Sequence, residues 1–485
     1  MKARLFITTI ILSGAIGLYA QNQEDALRYS KMNLTGTARY LGLGGALGAV
    51  GADFSALSTN PAGLGLFRKS EYSLTPAFSL AKTETTYLGK LREDNRYNLN
   101  LANLGVVFAK DLTAGTDAPG WKMVQVGLGM NRLSNFNNRI LLEGNNKHHS
   151  LLTGYAHQAD GNQPKNLDQF TTKLAYDADL LWVFDSTNLY YDADVYRGGV
   201  LQQKSITTSG SINEMVFGIG SNYDDRFYLG ASIGIPFVRY NYESIYTEKD
   251  NADTIYYFKS FDRFEEISTR GTGFNVKFGA ILRATDWLRL GAAFHSPTFY
   301  SKLHDSWSYS MKSRFDNGKE YTSEAPDGKF DYELTTPMKA IGSAMVQFGK
   351  MGFVSAEYEF VDYSEAKLNS STYKYFDENT EIREKYTAAH NLRFGAEWRL
   401  REIYIRGGYA MLGSPYKSGV NDGKADQLSL GFGIRDADYF VDFGYRVSSY
   451  NEDSHLYWVP EGFNAPVANN KFANQVFMIT FGWRY

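Results

Sequence analysis

Apolar residues alternate with polar residues along most of the chain after residue 70, and a period of two predicts β-strands. The last segment shows this most clearly, with Phe477, Ile479, Phe481 and Trp483 on one face and Met478, Thr480, Gly482 and Arg484 on the other. The segments Tyr439–Val447 and Leu392–Leu400 repeat the pattern, and their second face carries charged residues. The chain therefore belongs to the all-β class.

The apolar face of these strands is rich in aromatic residues, and the chain holds 35 Tyr and 32 Phe. A soluble β-sandwich, the alternative, would build its apolar face mostly of Val, Ile and Leu. Lipid outside a polar lumen explains both the aromatic face and the charged face. We predict a transmembrane antiparallel β-barrel in the outer membrane of a Gram-negative bacterium, in contact with outer-membrane lipid.

Short and long connections between the strands alternate, as they do in outer-membrane barrels. The short ones are Asp224-Asp225, Thr285-Asp286, Lys350-Met351, Arg401-Glu402 and Asp436–Asp438. The long polar ones are residues 311–328, 375–387, 412–424 and 453–469. This spacing predicts about 14 strands over residues 71–485, with both termini in the periplasm.

Residues 141–208 do not alternate, and we expect a long, partly helical extracellular loop there. Over Asn166–Phe184, five apolar residues recur at roughly helical spacing: Leu167, Phe170, Leu174, Leu180 and Leu181.

The amino terminus has the features of a secretory signal peptide. Lys2 and Arg4 precede the apolar run Leu5–Leu12, and small residues lead to a predicted cleavage site after Ala20. The chain has no cysteine, which excludes disulfides, thiolate metal sites and a lipoprotein anchor. Lys+Arg number 50 against 53 Asp+Glu, so we expect no nucleic-acid partner. We predict no cofactor and no metal.

Residues 21–70 are rich in Gly and Ala, and we interpret them as a compact plug, or hatch, inside the barrel. Small residues let the backbones of plug and wall approach closely. The spacing of Gly42 and Gly44 does not fit a dinucleotide-binding loop. Asp53 or Ser55 is placed to cap a short helix, and Pro61 disfavours helix at the residue before it.

This segment also carries a family resemblance. The runs Gly44-Gly45-Ala46, Ala52–Ala56 and Asn60–Leu64 resemble the hatch signature of the FadL/TodX transporters, with its Asn-Pro-Ala triplet. Stretches further along are similar to strands of that family: Leu288–Thr298, Thr336-Pro337, Glu357–Ser364, Asn391–Trp398 and Ile405–Tyr409. The chain is thus identified as a Bacteroidetes-like member.

The resemblance implies a monomeric barrel of 14 strands that takes up hydrophobic small molecules such as long-chain fatty acids passively. It assigns Asn60, Pro61 and Ala62, together with Asp53, to a hatch that moves to release ligand. The ligand then leaves sideways at a kinked third strand, which we predict at Lys122–Arg139. Residues 141–208 match no capture loop of the family.

The strands direct a set of charged residues into the predicted lumen: Glu357, Glu359, Arg393, Glu397, Arg399, Arg406, Asp442 and Arg446. One interpretation is that the arginines recognise a carboxylate on the ligand. The other is that the charges neutralise one another and hold the hatch to the wall.

Two further functions stay open. The loop histidines His148, His149 and His157 suggest a haemin receptor, and the unmatched loop suggests a barrel scaffold that docks secreted proteins. We expect no enzyme, because no catalytic residues stand out and the chain has no G-x-S-x-G elbow.

Overall fold

The computed structural model describes residues 22–33, 35–113 and 119–485. The predicted signal peptide, residues 1–20, lies outside the described residues.

The strands occupy most of the chain. Those of the first half are β1 (Glu71–Tyr87), β2 (Lys90–Asp111), β3 (Trp121–Asn135), β4 (Asn138–Asn146), β5 (Trp182–Asp185), β6 (Tyr190–Asp192), β7 (Val200–Tyr223), β8 (Phe227–Lys249), β9 (Phe258–Arg283) and β10 (Leu288–His295). Those of the second half are β11 (Phe299–Phe315), β12 (Glu320–Glu324), β13 (Gly328–Thr335), β14 (Lys339–Phe348), β15 (Gly352–Asp362), β16 (Lys367–Asn369), β17 (Ala388–Leu400), β18 (Ile403–Leu412), β19 (Ala425–Arg435), β20 (Tyr439–His455) and β21 (Val467–Arg484).

The main sheet closes into a barrel, because β1 pairs antiparallel with β2 on one side and with β21 on the other. Three positions in the wall hold two consecutive strands each. In chain order, β3 and β4 form the third barrel strand, β10 and β11 the seventh, and β13 and β14 the eighth. The barrel has 14 strands, which confirms the prediction.

The wall is apolar on the outside and polar on the inside. Large outward side chains such as Phe217, Phe278 and Leu430 are each more than half exposed. Inward side chains such as Glu214 and Asp442 are fully buried. A soluble protein has the opposite arrangement, so this barrel is built to cross a membrane.

The helices are short. They are α1 (Gln23–Ser30), α2 (Ala38–Gly42), α3 (Leu151–Ala159), α4 (Thr172–Asp177) and α5 (Phe376–Lys385), with 3-10 turns at Phe54–Ser58, Pro61–Leu66, Pro164–Asn166 and Tyr363–Glu365. Among the residues that the structure describes, no helix has the length and hydropathy needed to span a membrane.

The long loop is shorter than predicted, because β4 continues to Asn146 and β7 begins at Val200. The loop is partly helical, with α3 before the run Asn166–Phe184 and α4 within it. Asp179 adopts a left-handed φ of 58° just after α4, which stops the helix, and β5 follows. The leucines of this run still share one buried core, so their spacing reports burial rather than helix.

The predicted loop at 311–328 was mostly wrong. Its residues extend β11 to Phe315 and form β12 and the start of β13. A long strand that rises above the membrane has no lipid-facing side, so its outward residues are polar and resemble a loop in sequence.

Candidate functional site in the barrel lumen

Residues 35–67, here called the luminal segment, fill the part of the lumen nearest the carboxyl terminus. Helix α2 packs on β18, β19, β20 and β21, whereas the turn Pro61–Leu66 packs on β3, β7, β8 and β9. The segment therefore contacts opposite sides of the wall.

Glycines in the wall make room for this segment. A Cβ atom at Gly105 would lie 2.1 Å from the Phe54 ring, and one at Gly127 would lie 2.9 Å from a Leu57 methyl group. No sequence motif fixes the position of a kink in the third strand. The strand breaks between Asn135 and Asn138, away from Gly127.

Asp53 caps the turn Phe54–Ser58 by accepting a hydrogen bond from the Ser55 amide at 2.9 Å. Its carboxylate also accepts the Thr37 hydroxyl at 2.9 Å. Both bonds lie within the luminal segment, so Asp53 fixes the shape of that segment.

Asn60, Pro61 and Ala62 form the next turn. The backbone of Asn60 is extended, and its side chain accepts a hydrogen bond from the Ala62 amide at 3.2 Å. The Asn60 amide also donates to the Gly48 carbonyl at 2.7 Å. The triplet thus ties two parts of the luminal segment together.

One ion-pair chain joins the segment to the wall. Arg39 lies 2.9 Å from Glu397, and Arg406 lies 2.6 Å from the same carboxylate. Arg406 then reaches Asp442 at 2.7 Å, and Asp442 also pairs with Arg435. All of these groups are buried or nearly so, which makes each dependent on its partners.

A second group lies around Arg393, which contacts Glu357 at 3.1 Å and Glu359 at 3.2 Å. Glu357 also accepts the Gly48 amide of the luminal segment at 2.9 Å. The predicted lumen charges are thus largely neutralised, and several of them hold the segment to the wall.

A third group, around Glu214, was not predicted from the sequence. Glu214 accepts a hydrogen bond from Ser58 of the luminal segment at 2.8 Å and pairs with Lys277 at 2.6 Å. Both wall residues alternate with outward apolar residues, and that pattern was the available signal.

Two predicted arginines stand apart. Arg399 is exposed at the end of the barrel near the carboxyl terminus, and its Nε donates to the Arg401 carbonyl at 3.0 Å. Arg446 is buried inside the lumen and forms no ion pair within the described part of the chain. Its Nε and the hydroxyl of Ser429, directly opposite on β19, both lack a hydrogen-bond partner there.

A cluster of packed aromatic side chains, here called the aromatic chamber, lies around α1 in the other half of the lumen. It is formed by Tyr29 of α1 and, from the wall and loops, by Phe136, Tyr240, Tyr300, Tyr332 and Tyr375. The Tyr29 ring packs edge-on against Phe136 and Tyr240, with centroids 6.2 and 6.3 Å apart. The hydroxyls of Tyr29, Tyr300, Tyr332 and Tyr375 are buried without a hydrogen-bond partner among the residues described.

Residues 147–199 form a lid beyond this chamber. Its helices α3 and α4 pack with strand residues such as Phe261 and Met311 in one buried core. Glu248 caps α3 by accepting hydrogen bonds from the Leu151 amide at 3.0 Å and from the Ser150 hydroxyl.

The lid histidines do not converge. His149 contacts the Tyr457 hydroxyl and the Asn464 carbonyl, each at 3.0 Å, and burial lowers the pKa of His149. His157 lies beside Asp160 on another part of the lid. Across residues 22–33, 35–113 and 119–485, no group of three acidic, His or Cys side chains is arranged to hold a metal.

The wall has one seam. The ladder between β2 and β3 runs from Asp111 and Met123 to Asn103 and Asn131, and there it ends. Beyond this point Lys90–Asn100 pairs with β1, whereas β4 pairs with β7. Side chains alone bridge the two edges, as in the contacts of Lys90 and Arg92 with Glu143.

No family model matches this chain, and no curated protein matches it. Solved structures do match. A Pseudomonas aeruginosa FadL homologue is 14% identical, with a TM-score of 0.54 over 93% of this chain and 98% of its own. The Ralstonia pickettii toluene transporter TbuX is 13% identical, with a TM-score of 0.53 over 93% and 99%. The P. putida toluene transporter TodX is 11% identical, with a TM-score of 0.55 over 93% and 99%. The fold of this chain is therefore that of the FadL/TodX outer-membrane transporters.

Proposed function

We propose that the protein is a passive outer-membrane channel for hydrophobic small molecules. One observation carries this proposal. Phe136 lies at the break between β3 and β4, beside the seam, and its ring also packs on Tyr29 and Tyr240 of the aromatic chamber. The chamber and the weakest part of the wall are thus in contact. A ligand bound among the aromatic rings has a short path to the surrounding membrane.

The chamber fits an apolar ligand, because aromatic side chains supply large apolar contact surfaces. The transporters of similar fold include two named for toluene. For this chain we propose amphipathic ligands such as long-chain fatty acids. The buried and unpaired Arg446 supports this choice, since a guanidinium binds a carboxylate through two parallel hydrogen bonds.

We further propose that residues 21–70 act as the hatch. The luminal segment is held to the wall by hydrogen bonds and an ion pair, with the contacts of Arg39, Gly48 and Ser58 among them. Exchange of these contacts would let the segment shift without opening the barrel ladder, and ligand binding near Arg446 is placed to start that shift.

The first experiment is mass spectrometry of small molecules extracted from the purified protein. Co-purified fatty acids or other apolar compounds would support the channel. An empty barrel that retains a stoichiometric protein partner instead would favour a docking scaffold, and bound haemin would favour a receptor.

Proteoliposome uptake of palmitate and toluene tests the ligand class. Arg446→Gln is expected to lower palmitate uptake about tenfold, the effect of one charge-assisted contact, and to leave toluene uptake unchanged. Arg399→Gln, at the exposed position, is the matched control. Equal uptake of palmitate by wild type and Arg446→Gln would contradict the acidic ligand.

The seam is tested by a disulfide, because the chain has no native cysteine. Asn98 and Asn135 face each other across the seam with their amides 3.4 Å apart. Oxidised Asn98→Cys/Asn135→Cys should block uptake, and a reductant should restore it. The control pair Ala344→Cys/Ala356→Cys lies across an intact ladder. Undiminished uptake through an oxidised seam would exclude the lateral exit.

A further inference from the structure

The outer surface of the wall carries two arginines that face each other. Arg239 on β8 and Arg270 on β9 are direct cross-strand partners, and both are exposed. Like charges in this arrangement repel each other. Neither arginine forms an ion pair within the described part of the chain. The wall therefore presents an uncompensated positive charge to its surroundings.

The next strand adds a lysine and a histidine. His304 on β11 is the cross-strand partner of Arg270, and Lys302 lies two residues earlier on the same strand. Asp331 contacts Lys302 at 2.9 Å and His304 at 2.6 Å. This carboxylate thus serves Lys302 and His304, whereas the two arginines have no carboxylate partner. We call Arg239, Arg270, Lys302 and His304 the basic patch.

The basic patch lies where the apolar outer surface ends. On the side of the arginines nearer the middle of the barrel wall, Phe237 lies two residues before Arg239 and Phe274 lies four residues after Arg270, and each is more than two-fifths exposed. Phe299 has the same relation to Lys302 on β11. On three neighbouring strands, large apolar side chains thus give way to cations at the membrane surface, at the end of the barrel that carries the lid.

The nearest outward acids do not neutralise the patch. Glu243 and Glu266 face each other further along the same two strands, beyond Asn241 and Ser268. At about 3.3 Å per residue they lie roughly 13 Å from the arginine pair. The two glutamates thus form a separate, negatively charged pair, and the arginine pair next to the lipid stays positively charged.

We infer that the basic patch binds the phosphate groups of a phosphorylated lipid in the outward leaflet of the membrane. A phosphate placed between Arg239 and Arg270 accepts hydrogen bonds from both guanidinium groups and removes their mutual repulsion. Phe237, Phe274 and Phe299 then contact the acyl chains of the same lipid. The cations of the patch match the phosphate of such a lipid, and the phenylalanines match its acyl chains. A free phosphate would contact the cations alone.

The test counts lipids on the full-length protein by native mass spectrometry. The probes are lipid A with two phosphates and the same lipid after phosphatase treatment. Wild type should retain the phosphorylated form at least about tenfold more than the dephosphorylated form, and Arg239→Gln/Arg270→Gln should lose this preference. Arg226→Gln/Arg383→Gln removes the same charge from exposed sites outside the patch.

Heat-dependent mobility on gels shows whether each variant still forms the barrel. If the double variant does not form the barrel, the single variant Arg270→Gln is compared with wild type instead. Retention of both lipids equally by wild type, or an unchanged preference in the double variant, would overturn the inference. Release of the lipid by millimolar inorganic phosphate alone would assign the patch to the free anion. The readout is lipid retention, so it is independent of transport.

Discussion

The single guanidinium group of Arg393 forms ion pairs with two glutamates. Glu357 and Glu359 lie two residues apart on β15, and Arg393 on β17 is the direct partner of Glu357. Such a group tolerates the loss of its cation poorly, because two buried carboxylates would remain without compensation.

We therefore expect Arg393→Met to destabilise the barrel by about 3–5 kcal/mol, the usual cost of breaking a buried ion pair. Arg399→Met, at an exposed position on the same strand, should change stability by less than about 0.5 kcal/mol. Unfolding in urea followed by gel mobility measures both. Equal stability of the two variants would show that Glu357 and Glu359 are protonated or solvated.

His149 makes the stability of the lid depend on pH. Burial lowers its pKa below the usual value of 6.5, so the folded lid binds a proton less readily than the unfolded one. The stability that the neutral ring contributes is complete above pH 6.5 and declines as the pH falls below that value.

Hydrogen exchange of α3 should accordingly be faster at pH 5.5 than at pH 7.5 after correction for the intrinsic rate. His149→Gln should remove most of the difference. A variant that keeps the full pH effect would point to another group, such as Glu248.

At the scale of elements, the strands could be predicted from the sequence, but the side-chain pairs that join different strands could not. Alternation located the wall, and the cap at Asp53 followed from local chemistry. Arg39, Glu214 and Lys277 were not predicted as parts of the site, because each pairs with a residue on a strand or turn distant in the sequence. Only closure and register bring such groups together. In the lid, the roughly helical spacing of the leucines corresponds to helix only over α4, since a core buried from several sides imposes no single period.

The glycines of the wall allow a test of the luminal segment. Gly105→Ala should push Phe54 aside, because the added atom would lie 2.1 Å from its ring, and should raise the ion conductance of the barrel. Gly342→Ala is the matched control, since nothing lies within 4 Å of its added atom. The double variant Gly105→Ala/Phe54→Ala should recover the low conductance if the clash is the cause.

At the scale of the whole molecule, the ladder that closes the barrel contains no residue of the luminal segment, because β1 pairs with β21. Deletion of residues 21–64 should therefore leave a folded barrel that passes solutes without selection. Liposome swelling with sugars of increasing size measures the opening, and heat-dependent gel mobility reports the fold. Loss of the barrel in this deletion would mean that wall and segment fold as one unit.

The wall is also uneven in height. Strands β7, β8 and β9 have 24, 23 and 26 residues, whereas β18 and β19 have 10 and 11. At about 3.3 Å per residue, one flank rises roughly 40 Å further along its strands than the other. The long strands β7, β8 and β9 thus overhang one side of the barrel opening, and the side formed by β18 and β19 is left uncovered. This overhang would keep bulky polysaccharides of the cell surface away from the opening. Ligands would then reach the lumen from the side of the short strands.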